Sequence, residues 1–131
     1  MLKMPSHLSE ELEDLIYRTI GCCITVHRAL GPGLLEGIYA RAICLELEAE
    51  NLSFEAQKVY PVVYRGQLLC QQRLDLVVDR RLVLEVKSVE QLRPIHHAQL
   101  LSYLHVSTLP VGLLINFNVS ILQDGLKRIV L

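Results

Sequence analysis

A chain of 131 residues has room for one domain, and although 51% of its residues are hydrophobic at a mean hydropathy of +0.33, no apolar run approaches the roughly 20 residues of a membrane-spanning helix. The apolar surplus instead implies a covered partner surface, and hence a homodimer. The net charge of −1 conceals a division: residues 1–56 carry four basic and nine acidic groups, residues 57–131 nine basic and five acidic, so the second half is the part suited to phosphates.

The N-terminal residues place Glu10, Glu11, Glu13 and Asp14 where a signal peptide needs its apolar stretch, which predicts a cytoplasmic protein. Residues 9–30 predict a helix: Ser9 as N-cap, acids in the positive first turn, and apolar residues at helical spacing until Gly31-Pro32-Gly33 stops it. A second helix is expected over 34–51 with Leu35, Ile38, Tyr39, Ala42 and Ile43 as its apolar stripe. At 100° per residue Glu36 falls on the buried side of that helix, where a carboxylate needs a reason. From residue 58 the period changes to that of strands: a run to Tyr64 with Pro61 marking an edge, a turn at Arg65-Gly66, and a run over 67–72. Runs over 73–78 and 82–87 form the expected hairpin. Alternation puts Leu74, Leu76 and Val78 on one face and Asp75 on the other, with Val83, Glu85 and Lys87 sharing a face of the next strand. In an antiparallel pair Asp75 and Glu85 can then meet. A third helix, starting at residue 93 or 95 and running to 106, carries His96, Gln99 and Tyr103 on one face. A buried-type strand over 111–117 and a terminal strand over 127–131 complete the order ααβββ(β)αβ(β), an α/β (α+β) fold with a mixed sheet flanked by helices. The four cysteines, at 22, 23, 44 and 70, show no zinc spacing and read as reduced core residues.

Three charges, Asp75, Glu85 and Lys87, stand inside these apolar strands, where unpaired ionised groups are costly. An ExK tripeptide alone in a strand is usually a solvated cross-strand ion pair. With Asp75 opposite, however, the pattern supplies two hard oxygen ligands for a divalent cation and a nearby ammonium group, the inventory of a hydrolytic metal site.

Several phrases occur together in order: Gly33-Leu34-Leu35-Glu36-Gly37-Ile38-Tyr39, Tyr64-Arg65-Gly66, Arg73-Leu74-Asp75, Glu85-Val86-Lys87, Gln99 with Tyr103, and Gly112 to Phe117. On these residues the chain resembles the GxxExxY proteins, a bacterial and archaeal group assigned to the PD-(D/E)XK nuclease-like superfamily. The resemblance implies a restriction-endonuclease-like PD-(D/E)XK core occupying residues 1–131 as one domain. It also implies Mg²⁺, with Mn²⁺ as the alternative, held by Asp75, Glu85 and the Val86 backbone carbonyl, with Glu36 as the extra acid of RecB-like members. Lys87 would then activate water and stabilise charge. Gln99 and Tyr103 would form a QxxxY substrate-binding motif, to which His96 is added from the same helix face. The activity implied is hydrolysis of phosphodiester bonds in DNA, or RNA. The alternatives are a non-catalytic nucleic-acid-binding or assembly module, or a partner-dependent subunit of a repair or defence complex, that retains the nuclease fold.

Overall fold

The computed structural model describes residues 7–131. Helix α1, Glu10–Leu30, begins as its sequence dictates: the Ser9 hydroxyl accepts from the Leu12 N–H at 3.1 Å, and Glu10, Glu11 and Glu13 occupy the first turn. It ends at Gly31, whose φ of 69° favours glycine and whose N–H returns to the His27 carbonyl at 2.8 Å. Helix α2 spans Glu36–Ala49 rather than 34–51, because Leu34 and Leu35 are spent on an extended exit from the glycine turn.

Strands β1, Phe54–Tyr64, and β2, Gln67–Val78, form a long antiparallel hairpin. The two runs expected over 67–72 and 73–78 are thus one strand, and β1 starts four residues before the expected position, since 54–56 pair with 76–78 despite the poor strand propensity of Glu55 and Ala56. Strand β3, Leu82–Lys87, pairs antiparallel with β2. Helix α3, Pro94–Ser107, then crosses over to β4, Val111–Asn116, which lies parallel to β3, and a 3₁₀ turn at Leu122–Gly125 leads into β5, Leu126–Val130, antiparallel to β4. The sheet order is β1-β2-β3-β4-β5.

Each face of this mixed sheet is covered by helix. Helices α1 and α2 enclose one core with Leu76, Val78, Leu84, Val86 and Leu113; α3 encloses the other with Leu74, Val77, Val83 and Leu114. Gly112 lets α3 approach closely, since a Cβ there would lie 2.9 Å from the Leu100 side chain. No helix among the described residues is long and apolar enough to cross a membrane.

The alternation expected across residues 74–78 is overturned at one point. Leu74 packs under α3 with Val77, whereas Leu76 and Val78 face α1 and α2. The ladder explains this: Ala56 pairs with Leu76 and Lys58 with Leu74, but the residues between, Gln57 and Asp75, drop out of it, and Gln57 adopts the left-handed φ of 56°. The hairpin rolls over at Asp75. Cys22 and Cys23 are core residues as expected, but Cys44 is only half-buried and Cys70 is exposed on the hairpin.

Candidate active site

The roll at Asp75 also opens a fork between β2 and β3. Their pairing runs from Val78↔Leu82 to Leu76↔Leu84 and stops there. At the next step the Val86 N–H donates to the Asp75 carboxylate, at 2.9 Å, instead of to a backbone carbonyl. Asp75 therefore spans the gap with its side chain, which brings its carboxylate against that of Glu85.

Glu85 is 6% exposed, in the middle of an otherwise apolar strand. Burial, and next the charge of Asp75, push its carboxyl up to about 8, against the opposing pull of the Lys87 ammonium and of a hydrogen bond from the Asp75 backbone. The Asp75 side chain beside it adds to the rise, favouring the protonated form of Glu85. The Lys87 Nζ lies 4.0 Å from Glu85 and is largely covered. Tyr103, half-buried on α3, faces the same pair: burial first, then the charges of Glu85 and Asp75, raise its hydroxyl above the ordinary phenol range. Thus β2, β3 and α3 bring four of the candidate residues together.

The others stand differently. Glu36 is exposed at the first position of α2, not on its buried face, because a helical wheel gives an angle but not a position along the axis, and Glu36 lies one turn before the packed stripe of Tyr39, Ile43 and Leu47. It does not complete a three-acid group with Asp75 and Glu85, and no such group of His, Cys, Asp or Glu able to hold an ion occurs among the described residues. Gln99 is exposed on α3. His96 is half-buried and spends its Nδ1 as acceptor for the Arg93 N–H at 3.0 Å, closing the N-terminus of α3.

Residues without an assigned role hold this region in shape. Lys87 pairs with Asn116 across the parallel ladder, so the ends of β3 and β4 lie together, where ligands of parallel sheets bind. Asn116 is 2% exposed; its Nδ2 donates to the Val89 carbonyl at 2.9 Å and its Oδ1 accepts from the Val89 and Asn118 N–H groups at 3.0 and 3.1 Å. The Ser88 hydroxyl donates to the Leu34 carbonyl at 2.5 Å, which fastens the loop before α2 to the end of β3. Tyr39 clamps the same loop: its hydroxyl donates to the Gly31 carbonyl at 2.5 Å and accepts from the Leu34 N–H at 3.1 Å, while its ring stacks on Phe117 at 4.5 Å. The Tyr of the GxxExxY phrase therefore clamps the loop that presents Glu36, in which its Gly33 adopts a left-handed φ of 98°. An amide inside the apolar run 111–117 was a signal that could have singled out Asn116; Ser88 carried none.

A family model described as the PD-(D/E)XK nuclease superfamily matches residues 13–129. The chain belongs to that superfamily. The match takes in the strand pair that carries Asp75 and ExK, and the five-stranded mixed sheet flanked by helices agrees with the restriction-endonuclease-like fold of PD-(D/E)XK proteins. No curated protein and no solved structure was significantly similar to the chain.

The superfamily implies a divalent cation, and the donor set at the fork fits one. Two carboxylates within hydrogen-bond reach in a buried setting repel unless a proton or a cation lies between them, and hard cations such as Mg²⁺ take one or two carboxylates and leave the remaining positions to water and phosphate.

Proposed function

We propose that the protein is a Mg²⁺-dependent nuclease, with Mn²⁺ as the alternative ion, hydrolysing phosphodiester bonds in DNA, with RNA as the second polymer to test. The observation that supports this reading best is the convergence of Asp75, Glu85 and Lys87 at a buried strand fork, with Glu85 raised to about 8. Asp75, Glu85 and the Val86 carbonyl would hold the ion. When bound, it would supply a water of lowered pKa and neutralise phosphate charge. Lys87, tethered near Glu85 and shielded from water, would orient the attacking water and stabilise the charge that develops on the phosphate. Tyr103 and Gln99 would contact the substrate along α3, and Glu36 would approach as a further acid from the loop held by Tyr39 and Ser88. His96 is retained as a substrate contact through its remaining ring nitrogen. We further propose that one such domain fills the chain, that it acts in the cytoplasm, and that it works as a homodimer.

A second reading, a nucleic-acid-binding module without catalysis, is favoured by the exposed position of Glu36 outside any three-acid group. The two are separated by incubating purified protein with labelled single-stranded, duplex and branched DNA, and with RNA, in Mg²⁺, in Mn²⁺ and in chelator. Ion-dependent cleavage of any substrate supports the nuclease; salt-sensitive binding with every substrate left intact in both ions overturns it.

A further inference from the structure

Among the described residues, no third strand joins the hairpin beyond Asp75. β3 pairs with β2 only over Leu76–Val78, so the ladder from Val59↔Arg73 to Tyr64↔Gln67 is a two-stranded ribbon running out from the sheet. Two-stranded hairpins are marginal in water unless a face is packed. This one packs chiefly at its root, where Tyr60 lies under α3. Its outer part instead carries large apolar side chains in water: Val63 is 58% exposed, Tyr64 55%, Leu68 58% and Leu69 64%. Val63 and Leu68 oppose each other on one face, and Tyr64, next along the strand, points to the other, so both faces are apolar. A register break between Val62 and Val63 leaves Leu69 without an opposite residue.

Charge indicates which partner such an arm suits. Between residues 59 and 72 the only charged side chain is Arg65, at the tip. An arm built to follow phosphates would be lined with Lys and Arg. A ribbon of apolar and aromatic side chains, uncharged along both strands, has the composition of the centre of a protein interface. Pro61 removes an N–H from β1 and discourages strand addition along that edge, so the faces are the surfaces left for contact.

We infer that residues 59–72 form a clasp by which two copies of this chain dimerise, each arm covered by the other subunit. The areas agree. Six ladder pairs give a ribbon about 20 Å long and 10 Å wide, so its two faces offer roughly 400 Å². Two arms and the surfaces that cover them reach the roughly 1,200–2,000 Å² of a stable interface, whereas one face of each arm alone falls far short. A cleft of about 400 Å³ between the arm and the end of α3, lined by Pro61, Val62, Val63, His105 and Val106, gives the second arm a place to lie. The clasp identifies the surface of the proposed homodimer and holds whether or not the site cuts.

The test is sedimentation velocity of the full chain from 0.1 to 100 µM, a span chosen to bracket roughly micromolar dissociation, beside Leu68→Glu/Leu69→Glu and, separately, Val63→Lys. All three positions are solvent-exposed, so circular dichroism should show an unchanged fold. The expected result is a wild-type dimer whose dissociation constant rises at least about tenfold in each variant. Cys70, an exposed thiol on the arm, gives a second readout: mass spectrometry should find it labelled by maleimide more slowly in the dimer than in the variants. A wild-type monomer throughout, or a dimer that both variants leave intact, overturns the inference, as does an arm that proves to bind duplex DNA in a monomer.

Discussion

Replacing Glu85 by Gln keeps the volume of the side chain and removes its charge, and the effect on stability should depend on pH in a calculable way. An unfolded Glu titrates near 4.5, while burial and Asp75 push the folded one up to about 8. Between those values the folded protein holds a proton that the unfolded chain has released, so raising the pH lowers stability. The contribution is fully present below about 4.5 and is lost as pH rises through about 8. From pH 6 to pH 8 the loss is about 2 kcal/mol for a folded value near 8. Glu85→Gln, which mimics the protonated form, should match the wild type below about pH 4.5, exceed it by about 2 kcal/mol at pH 6 and by about 4 kcal/mol at pH 8. Urea denaturation of both proteins at half-unit pH steps in chelator measures this, because titrating groups that do not interact with Glu85 cancel in the difference. Adding MgCl₂ at pH 8 should restore stability to the wild type, as a ligand of the folded state does, and leave the variant nearly unchanged. Parallel pH profiles for the two proteins would refute the reasoning, since Glu85 would then not be carrying a buried, disfavoured charge.

Asn116→Ala leaves the Val89 and Asn118 backbone groups without their buried partner and should cost about 2–4 kcal/mol in denaturant unfolding. Tyr39→Phe keeps the stack on Phe117 but deletes both hydroxyl hydrogen bonds; a loss of about 1–2 kcal/mol is expected, with faster proteolysis of the 31–35 loop as the local readout. Gly125→Ala should destabilise by more than about 2 kcal/mol, because a Cβ there would collide with the Asn116 carbonyl oxygen, and a thermal melt is sufficient to see it.

The helices were legible because their signals are local: the Ser9 cap and the glycine stop of α1 are written in adjacent residues. The D…ExK pair was legible because three charges in apolar strands have few explanations. Side-chain direction at Leu74 was not, because alternation assumes an unbroken ladder, and the break lies where Gln57 and Asp75 drop out of the pairing across the hairpin. Glu36 was misplaced for a related reason: its angle on the helix was right, but only the loop geometry fixed by Tyr39 and Ser88 decides where α2 begins. Strand propensity over 59–72 could not show that the ribbon lacks a third strand, so the exposure of Cys70 and of the apolar tip emerged only from the topology.

The central claim, an ion-dependent hydrolytic site at the β2–β3 fork, is tested most directly by single-turnover cleavage of end-labelled DNA by wild type, Lys87→Ala and Asp75→Asn prepared identically. The expected result is cleavage by the wild type in Mg²⁺ that disappears in chelator and falls by roughly 10²-fold or more in each folded variant. Equal cleavage by all three proteins, or none by the wild type with either ion on any substrate, would contradict it.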